Sequence, residues 1–188
     1  MENTPYYFYD LELLERTITE MQSQVATVPY KVHYAIKANN NKRILSMIAS
    51  RGLGADCVSS REIVWAIEAG FDREDIVFAG VGKTDEEIEF ALKQEIGMLN
   101  CESLEEILVV NEIAERLQRN VRIALRLNPN VNALTHEKIS TGLAENKFGL
   151  TTVEFDDLIR LYPGLSNIEI VALHFHIGSQ IENMVAYR

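Results

Sequence analysis

Several features that mark particular protein classes are scarce or missing in this 188-residue sequence. It has two cysteines, Cys57 and Cys101, and neither belongs to a CxxC pair. A disulfide framework and a CxxC metal or redox site are therefore excluded. There is no uninterrupted run of about 18 apolar residues, the length that a membrane-spanning helix needs. The start, MENTPYYFYD, also lacks the basic and then apolar segments of a secretory signal. We expect a soluble, cytoplasmic protein.

Basic residues are also in the minority. The sequence has 18 Lys and Arg against 28 Asp and Glu, which gives a formal net charge of -10 at pH 7. A field of this sign repels phosphate backbones and anionic lipid headgroups. Nucleic acid and membrane surfaces are therefore not expected as partners. The 47% hydrophobic content is enough to build the core of an ordinary globular domain.

Short apolar runs alternate with helix-start signals along most of the chain. Six runs are typical of buried strands: 32–37, 54–58, 76–79, 97–101, 121–127 and 168–177. Most are followed by the capping-box pattern, a Ser or Thr with Glu three residues later. The four boxes are Ser59 with Glu62, Thr84 with Glu87, Ser103 with Glu106, and Thr151 with Glu154. A further helix, with Asp10 as its N-cap, precedes the first strand. This order predicts a parallel α/β sheet with helices outside it.

The spacing of the strands favours a barrel. Nothing similar to GxGxxG follows the first strand, and the first three strand starts are about 22 residues apart, without the break of a doubly wound fold. We therefore predict a (β/α)8 TIM-type barrel. Such a barrel has eight units, and about six can be counted before Arg188. Residues 1–188 are expected to form a partial barrel domain, the N-terminal part of a longer protein.

Lys37 is the first candidate for chemistry. In VHYAIKANNN it falls at the C-terminal end of the first predicted strand, on the same face as His33 and Ala35. In a barrel this end of the strand lies on the catalytic face. A lysine in a partly dry pocket becomes a better amine nucleophile and suits Schiff-base chemistry. The spacing alone leaves open a rim lysine whose ammonium group reaches solvent.

The segment HFHIGSQI places two histidines, His174 and His176, on one face of the last predicted strand. One interpretation is a shared metal ion, although a metal site needs further ligands. A second is a histidine ring stacked on a planar cofactor, with Gly178 and Ser179 offering an amide and a hydroxyl to a phosphate. A third is a pair of hydrogen-bonded core histidines. The pattern itself does not choose between them.

Two further charged residues fall near the ends of predicted strands. Arg126, in RIALRLNP, is expected to meet a ligand, and it requires an acceptor because an unpaired buried guanidinium is costly. Asp56, in GADCVSS, has three open roles: it could orient a cofactor group, pair with Lys37 or Arg126, or cap the following loop.

Taken together, YAIKAN, GADCVSS and HFHIGSQ resemble, in this order and spacing, the fold type III decarboxylases that use pyridoxal phosphate (PLP). This family contains the ornithine, arginine and diaminopimelate decarboxylases, and its barrel is of the alanine-racemase-like kind. The resemblance covers nearly the whole chain. It implies that Lys37 forms the Schiff base with PLP, that His176 stacks on the cofactor ring, and that Ser179 binds its phosphate.

The same resemblance assigns three more positions. Asp56 and Arg126 match positions that line the cofactor site, and Lys147, in KFG, matches a position near the active-site entrance and the dimer interface. The segments FAGVGK, THEKISTGLAENKFGL and HFHIGSQI are most similar to the diaminopimelate-specific members. This implies PLP-dependent conversion of meso-2,6-diaminopimelate to L-lysine and CO2, the last step of lysine biosynthesis, by a cytoplasmic homodimer without a bound metal.

The family pattern also contains parts that are not found before Arg188. They are the rest of the barrel, the glycine-rich phosphate cradle, the acidic partner of the pyridine nitrogen and a C-terminal β domain. We therefore expect the 188-residue chain to be inactive by itself. Three alternatives stay open: a carboxynorspermidine or other basic amino-acid decarboxylase, a metal-dependent barrel hydrolase that uses His174 and His176, and a non-catalytic PLP-binding homologue.

Overall fold

The computed structural model describes residues 4–128 and 148–176. Helices and strands alternate along these residues. The elements in chain order are α1 (Leu11–Val25), β1 (His33–Ala35), α2 (Lys42–Ser50), β2 (Gly54–Cys57), α3 (Ser60–Ala69), β3 (Ile76–Phe78), α4 (Asp85–Gln94), β4 (Met98–Cys101), α5 (Leu104–Arg116), β5 (Val121–Arg126), α6 (Thr152–Leu161) and β6 (Ile168–His174). Short 3₁₀ turns lie at Ile36–Ala38, Arg73–Asp75 and Tyr162–Gly164. Within the described residues, no helix is both long and apolar enough to cross a membrane.

The six strands form one parallel sheet in which each strand pairs with the next along the chain, from β1 to β6. The predicted parallel α/β architecture is therefore confirmed. Sequential order is typical of a barrel wall, because every crossover helix advances the sheet by one strand in the same direction. Among the described residues the sheet is not closed, since β1 and β6 do not pair with each other.

The core lies between the sheet and the helices. Strand side chains that point toward the helices are almost completely buried, as for Ala55 and Cys57 of β2 and Leu99 and Cys101 of β4. Burial raises the pKa of both cysteine thiols well above their usual range, so they remain neutral. The alternate residues of the same strands point to the opposite face of the sheet, where the polar side chains collect.

Each predicted helix start carries the expected side-chain cap. Asp10 Oδ1 accepts the Leu13 N–H at 2.9 Å, and the hydroxyls of the four Ser and Thr caps accept the N–H of the glutamate three residues on. Reciprocal capping boxes form at Thr84 and Thr151. The sequence contains no such box before helix α2. Its N-cap is Asn41, whose side chain accepts the Arg43 N–H at 3.0 Å.

Two of the four boxes depart from the reciprocal pattern. Glu62 accepts the N–H of Val58 at 2.8 Å, and Glu106 accepts the N–H of Glu102 at 2.9 Å, each one residue before the helix cap. In both cases the carboxylate fixes the backbone at the end of a strand rather than at the start of the helix. The bonds therefore tie the strand end to the helix that follows it.

All six strand predictions were longer than the observed strands, and the first and the last exceeded them most. Strand β1 ends at Ala35, and Lys37 lies in the 3₁₀ turn that follows it. Ile36, the first residue of this turn, is 0% exposed and packs in the core. Strand β6 ends at His174, whose carbonyl accepts the Leu127 N–H at 2.8 Å just beyond the end of β5.

Candidate active site

A cavity of about 700 Å³ opens at the carboxyl ends of the strands. Four of the predicted site residues line it: Lys37, Asp56, Arg126 and His176. They come from the ends of β1, β2, β5 and β6, which the parallel sheet brings to one edge. The other two predicted residues, Lys147 and Ser179, lie outside the described part of the chain.

Small side chains on this face of the sheet leave room for the cavity. Ala124 and Ala172 are partners in the register of β5 and β6, and both line it. At Gly54, a Cβ atom would lie 2.4 Å from His33 Nδ1 and 2.6 Å from the carbonyl oxygen of Asp75. Glycine is therefore required there for the His33 ring to take its place in the cavity wall.

Asp56 is half-buried beside several cationic groups. Burial raises the pKa of its carboxyl, while the nearby charges of Lys37, His33 and His176 lower it in part. Neither Lys37 nor Arg126 forms a salt bridge with Asp56 in the described part of the chain. Asp56 is thus a carboxyl group with increased proton affinity near an exposed lysine amine.

Arg126 does have a buried acceptor, but the acceptor is Glu102. The guanidinium forms a salt bridge with Glu102 Oε2, and its carbon lies 5.8 Å from the centre of the Phe148 ring. Arg126 and Glu102 are 9% and 7% exposed. The requirement for an acceptor was correct, whereas the suggested pairing of Arg126 with Asp56 was wrong. Glu102 directly follows the 97–101 strand, and this position at a strand end was the signal that could have identified it.

A second buried cation stands next to this pair. The side chain of Lys83 is 2% exposed, and its ammonium donates to the carbonyls of Gly80 and Asn100 at 2.8 and 2.7 Å and to Glu106 Oε1 at 2.6 Å. All three ammonium protons therefore have acceptors. Lys83 joins the loop after β3 to the end of β4 and the first turn of α5. The sequence pattern pointed to no role for Lys83, although this residue ends the segment FAGVGK.

Three buried polar atoms along the cavity have no hydrogen-bond partner in the described structure: Asn100 Oδ1, Glu102 Oε1 and His174 Nδ1. Burial and the neighbouring charge of Arg126 lower the pKa of His174, which favours its neutral form. Buried polar atoms in proteins are almost always satisfied by protein, water or ligand. These three atoms therefore mark the side of the cavity that is built to meet a polar group.

The two histidines of HFHIGSQI both line the cavity but differ in depth. His174 is half-buried and in register with Arg126, whereas His176 is exposed at the rim. Within residues 4–128 and 148–176, no group of three or more His, Cys, Asp or Glu side chains has an arrangement that could hold a metal ion. Within these residues, the metal-hydrolase alternative gains no ligand beyond the histidine pair.

Comparison with known proteins gives consistent matches. Residues 11–188 match the family model described as pyridoxal-dependent decarboxylase, pyridoxal binding domain. The chain is 47% identical over 182 residues to diaminopimelate decarboxylase from Bacteroides thetaiotaomicron, an alignment that covers 96% of this chain and 47% of that protein.

Solved structures are similar over the same part of their chains. The crystal structure of diaminopimelate decarboxylase from Helicobacter pylori complexed with L-lysine matches with a TM-score of 0.91 and 42% identity, covering 98% of this chain and 47% of that one. The arginine decarboxylase of Paramecium bursaria Chlorella virus matches with a TM-score of 0.72 and 27% identity, covering 92% and 44%. The chain thus spans about half the length of the relatives that it matches.

Proposed function

The chain belongs to the pyridoxal-dependent decarboxylases, and on this basis we propose that its cavity binds PLP and that the whole protein converts meso-2,6-diaminopimelate to L-lysine and CO2. One observation carries the proposal. Lys37, Asp56, Arg126 and His176, far apart in sequence, line a single cavity at the ends of the strands. In barrel enzymes this is the face on which catalysis takes place.

The residues of the cavity fit such a cofactor. A volume of about 700 Å³ lies within the usual range for cofactor and small-molecule sites. Lys37 offers an exposed primary amine at the rim, and the unpaired atoms of Asn100, Glu102 and His174 offer polar contacts on the opposite side. A planar, anionic cofactor requires an amine, cationic groups and a ring to stack on, and all three are present.

Each residue then has a definable task. PLP, when bound, supplies an electron sink for the carbanion that decarboxylation leaves behind. Lys37 would hold the cofactor covalently through its Nζ atom. Asp56 is a carboxyl group that interacts electrostatically with the Lys37 amine, and its raised pKa suits it to hold a proton there. Arg126 would supply a fixed positive charge, and His176 a ring face.

Two assigned residues complete the proposed site from outside the described ranges. Ser179 would donate its hydroxyl to the cofactor phosphate, and Lys147 would lie near the entrance and the subunit interface. Both assignments rest on the match of HIGSQ and KFG to family positions. The proposal also includes a cytoplasmic homodimer, which size-exclusion chromatography with light scattering would test on the full-length protein.

The test of the cofactor site uses borohydride reduction. The full-length protein is incubated with PLP, reduced, digested and mapped by mass spectrometry, alongside Lys37→Ala and the control Lys42→Ala. Lys42 is an exposed lysine five residues away, at the start of α2. We expect the adduct on Lys37 in the wild type and the control, and no adduct in Lys37→Ala. An adduct at another lysine, or none, would refute the site.

The substrate is tested separately, by measuring CO2 release from meso-diaminopimelate, arginine, ornithine and carboxynorspermidine. The identities of 47% and 42% to diaminopimelate decarboxylases support the first of these. We expect kcat/KM to be highest for meso-diaminopimelate. Preference for another amino acid, with the adduct on Lys37 intact, would retain the PLP site and replace the substrate.

A further inference from the structure

We propose that Glu102 is a positioning residue that fixes the Arg126 guanidinium at the cofactor cavity and influences cofactor binding only through Arg126. The inference rests on the proposed function. It assigns a role to a residue that the sequence motifs did not select.

The register of the sheet places the two residues side by side. Cys101 of β4 is the register partner of Leu125 of β5, so the next residues along both strands, Glu102 and Arg126, lie at the same level on the cavity face. Arg126 in turn is the register partner of His174 on β6. The carboxylate, the guanidinium and the imidazole therefore form one row across three strands.

Burial makes the pair necessary for the position of Arg126. Residues at 9% and 7% exposure have lost most of their water, and a guanidinium in that setting requires a matched anion. Glu102 supplies the salt bridge that Arg126 makes within the described residues. The pairing uses Glu102 Oε2, while Glu102 Oε1 is buried along the cavity without a partner. The pair is therefore not bidentate, because a bidentate pair would use both carboxylate oxygens.

The backbone around Glu102 is held from both sides. The Glu102 N–H donates to Glu106 Oε2 at 2.9 Å, and the carbonyl of Asn100, two residues earlier, accepts from Lys83 Nζ at 2.7 Å. Lys83 and Glu106 are themselves joined at 2.6 Å. A side chain on so constrained a backbone has a defined direction, which is the requirement for a group that orients another.

A merely structural ion pair would have different consequences for binding. If Glu102 acts through Arg126, its loss has an effect only while Arg126 is present. If it contacts the cofactor itself, its loss has the same effect on affinity with or without Arg126. If the pair only stabilises the fold, loss of Glu102 lowers the melting temperature and leaves the PLP dissociation constant of the folded protein unchanged. A double-mutant cycle on cofactor affinity separates these cases.

The experiment measures the PLP dissociation constant by titrating the apo form of the full-length protein. The variants are Glu102→Gln, Glu102→Asp, Arg126→Met and the double variant Glu102→Gln/Arg126→Met. We expect Glu102→Gln to raise the dissociation constant about tenfold or more, within the usual range of coupling between contacting residues. Glu102→Asp, which keeps the charge, should recover most of the affinity. The double variant should bind PLP no more weakly than Arg126→Met.

A matched control is Glu89→Gln, which alters an exposed ion pair on α4. It should bind PLP as the wild type does, and the melting temperature of each apo protein shows whether a variant is folded. The double variant removes both buried charges, so it remains informative even if Glu102→Gln alone fails to fold.

An equal loss of affinity from Glu102→Gln in both backgrounds would overturn the inference, as would wild-type affinity in Glu102→Gln. If Glu102→Gln does not fold, weaker binding by the double variant than by Arg126→Met would overturn it. Failure of the proposed function has a different signature, because the wild type and Glu89→Gln would then also show no PLP on Lys37.

Discussion

Ion pairs occur in two contrasting settings in the described structure. At the carboxyl edge of the sheet, the side chains of Lys83 and Glu106 are 2% and 12% exposed. On the outer helices, the pair of Lys93 with Glu89 has exposures of 56% and 26%. The chemical groups are the same, a primary ammonium and a carboxylate. What differs is the amount of water around them.

The number of partners differs in the same way. The ammonium of Lys83 has three acceptors from three segments of the chain, whereas that of Lys93 has one, a turn away on its own helix. Removing water makes each unpaired charge expensive, so a buried ion requires close partners that an exposed ion can do without. The buried ion pair at the edge of the sheet therefore holds several segments of the chain together, whereas the exposed pair joins residues of a single helix.

The largest effect should come from Lys83→Met. Because the change leaves Glu106 as a buried carboxylate without its counter-charge, we expect the free energy of unfolding to fall by about 3–5 kcal/mol. Equilibrium unfolding in urea would measure the change. The double variant Lys83→Met/Glu106→Gln removes both charges and should recover much of the loss. A cost below about 1 kcal/mol, the range for exposed pairs, would remove the distinction between the two settings.

Acidification should lower the free energy of unfolding by a smaller amount, through His174 at the carboxyl edge of the sheet. The pKa of His174 lies below its ordinary value of 6.5 in the folded state. As the pH falls below that value, the unfolded chain binds a proton that folded His174 does not, so the folded state loses stability until the lowered pKa is passed. Above 6.5 this contribution is present in full.

The variant His174→Gln isolates this contribution. The wild type should lose stability between about pH 7 and about pH 5 more steeply than the variant does, because glutamine does not titrate there. The quantity to compare is the difference between their free energies of unfolding at each pH. A difference that stays constant over this range would contradict the lowered pKa.

The smallest effect is expected from Glu89→Gln on the helix surface. Hydrogen bonds from Lys93 and Arg116 lower the pKa of the Glu89 carboxyl, yet both partners are exposed and screened by salt. The melting temperature should fall only slightly, and the difference should vanish in about 1 M NaCl. A large or salt-independent loss would mean that this surface network behaves like the buried one.

Local patterns were enough to predict most of the elements. The caps at Asp10, Ser59, Thr84, Ser103 and Thr151 are short-range hydrogen bonds between residues three apart, so the sequence alone reveals them. The start of α2 at Asn41 was missed because an asparagine cap without a following glutamate has no such signature. The ends of β1 and β6 were misplaced because a strand's end depends on its packing and pairing with other segments, which the local pattern does not contain.

The residues of the candidate site also differ in whether a local pattern could identify them. Lys37, Asp56, Arg126 and His176 could be selected because each lies at or just beyond the end of an apolar run, where a parallel sheet exposes side chains to a ligand. Glu102 shares this position, directly after the 97–101 run, whereas Lys83 does not. Their importance comes from partners 24 and 23 residues away in sequence.

The order of strands and helices, most helix starts and the face of the sheet on which polar groups gather could all be predicted from the sequence. These follow from side-chain periodicity and from hydrogen bonds within a few residues. The pairing of the charges, by contrast, is established in the folded structure. It joined Arg126 to Glu102 rather than to Asp56, and Lys83 to Glu106. Pairing depends on which strand ends are neighbours and on how much water reaches them, and neither is a property of any short segment.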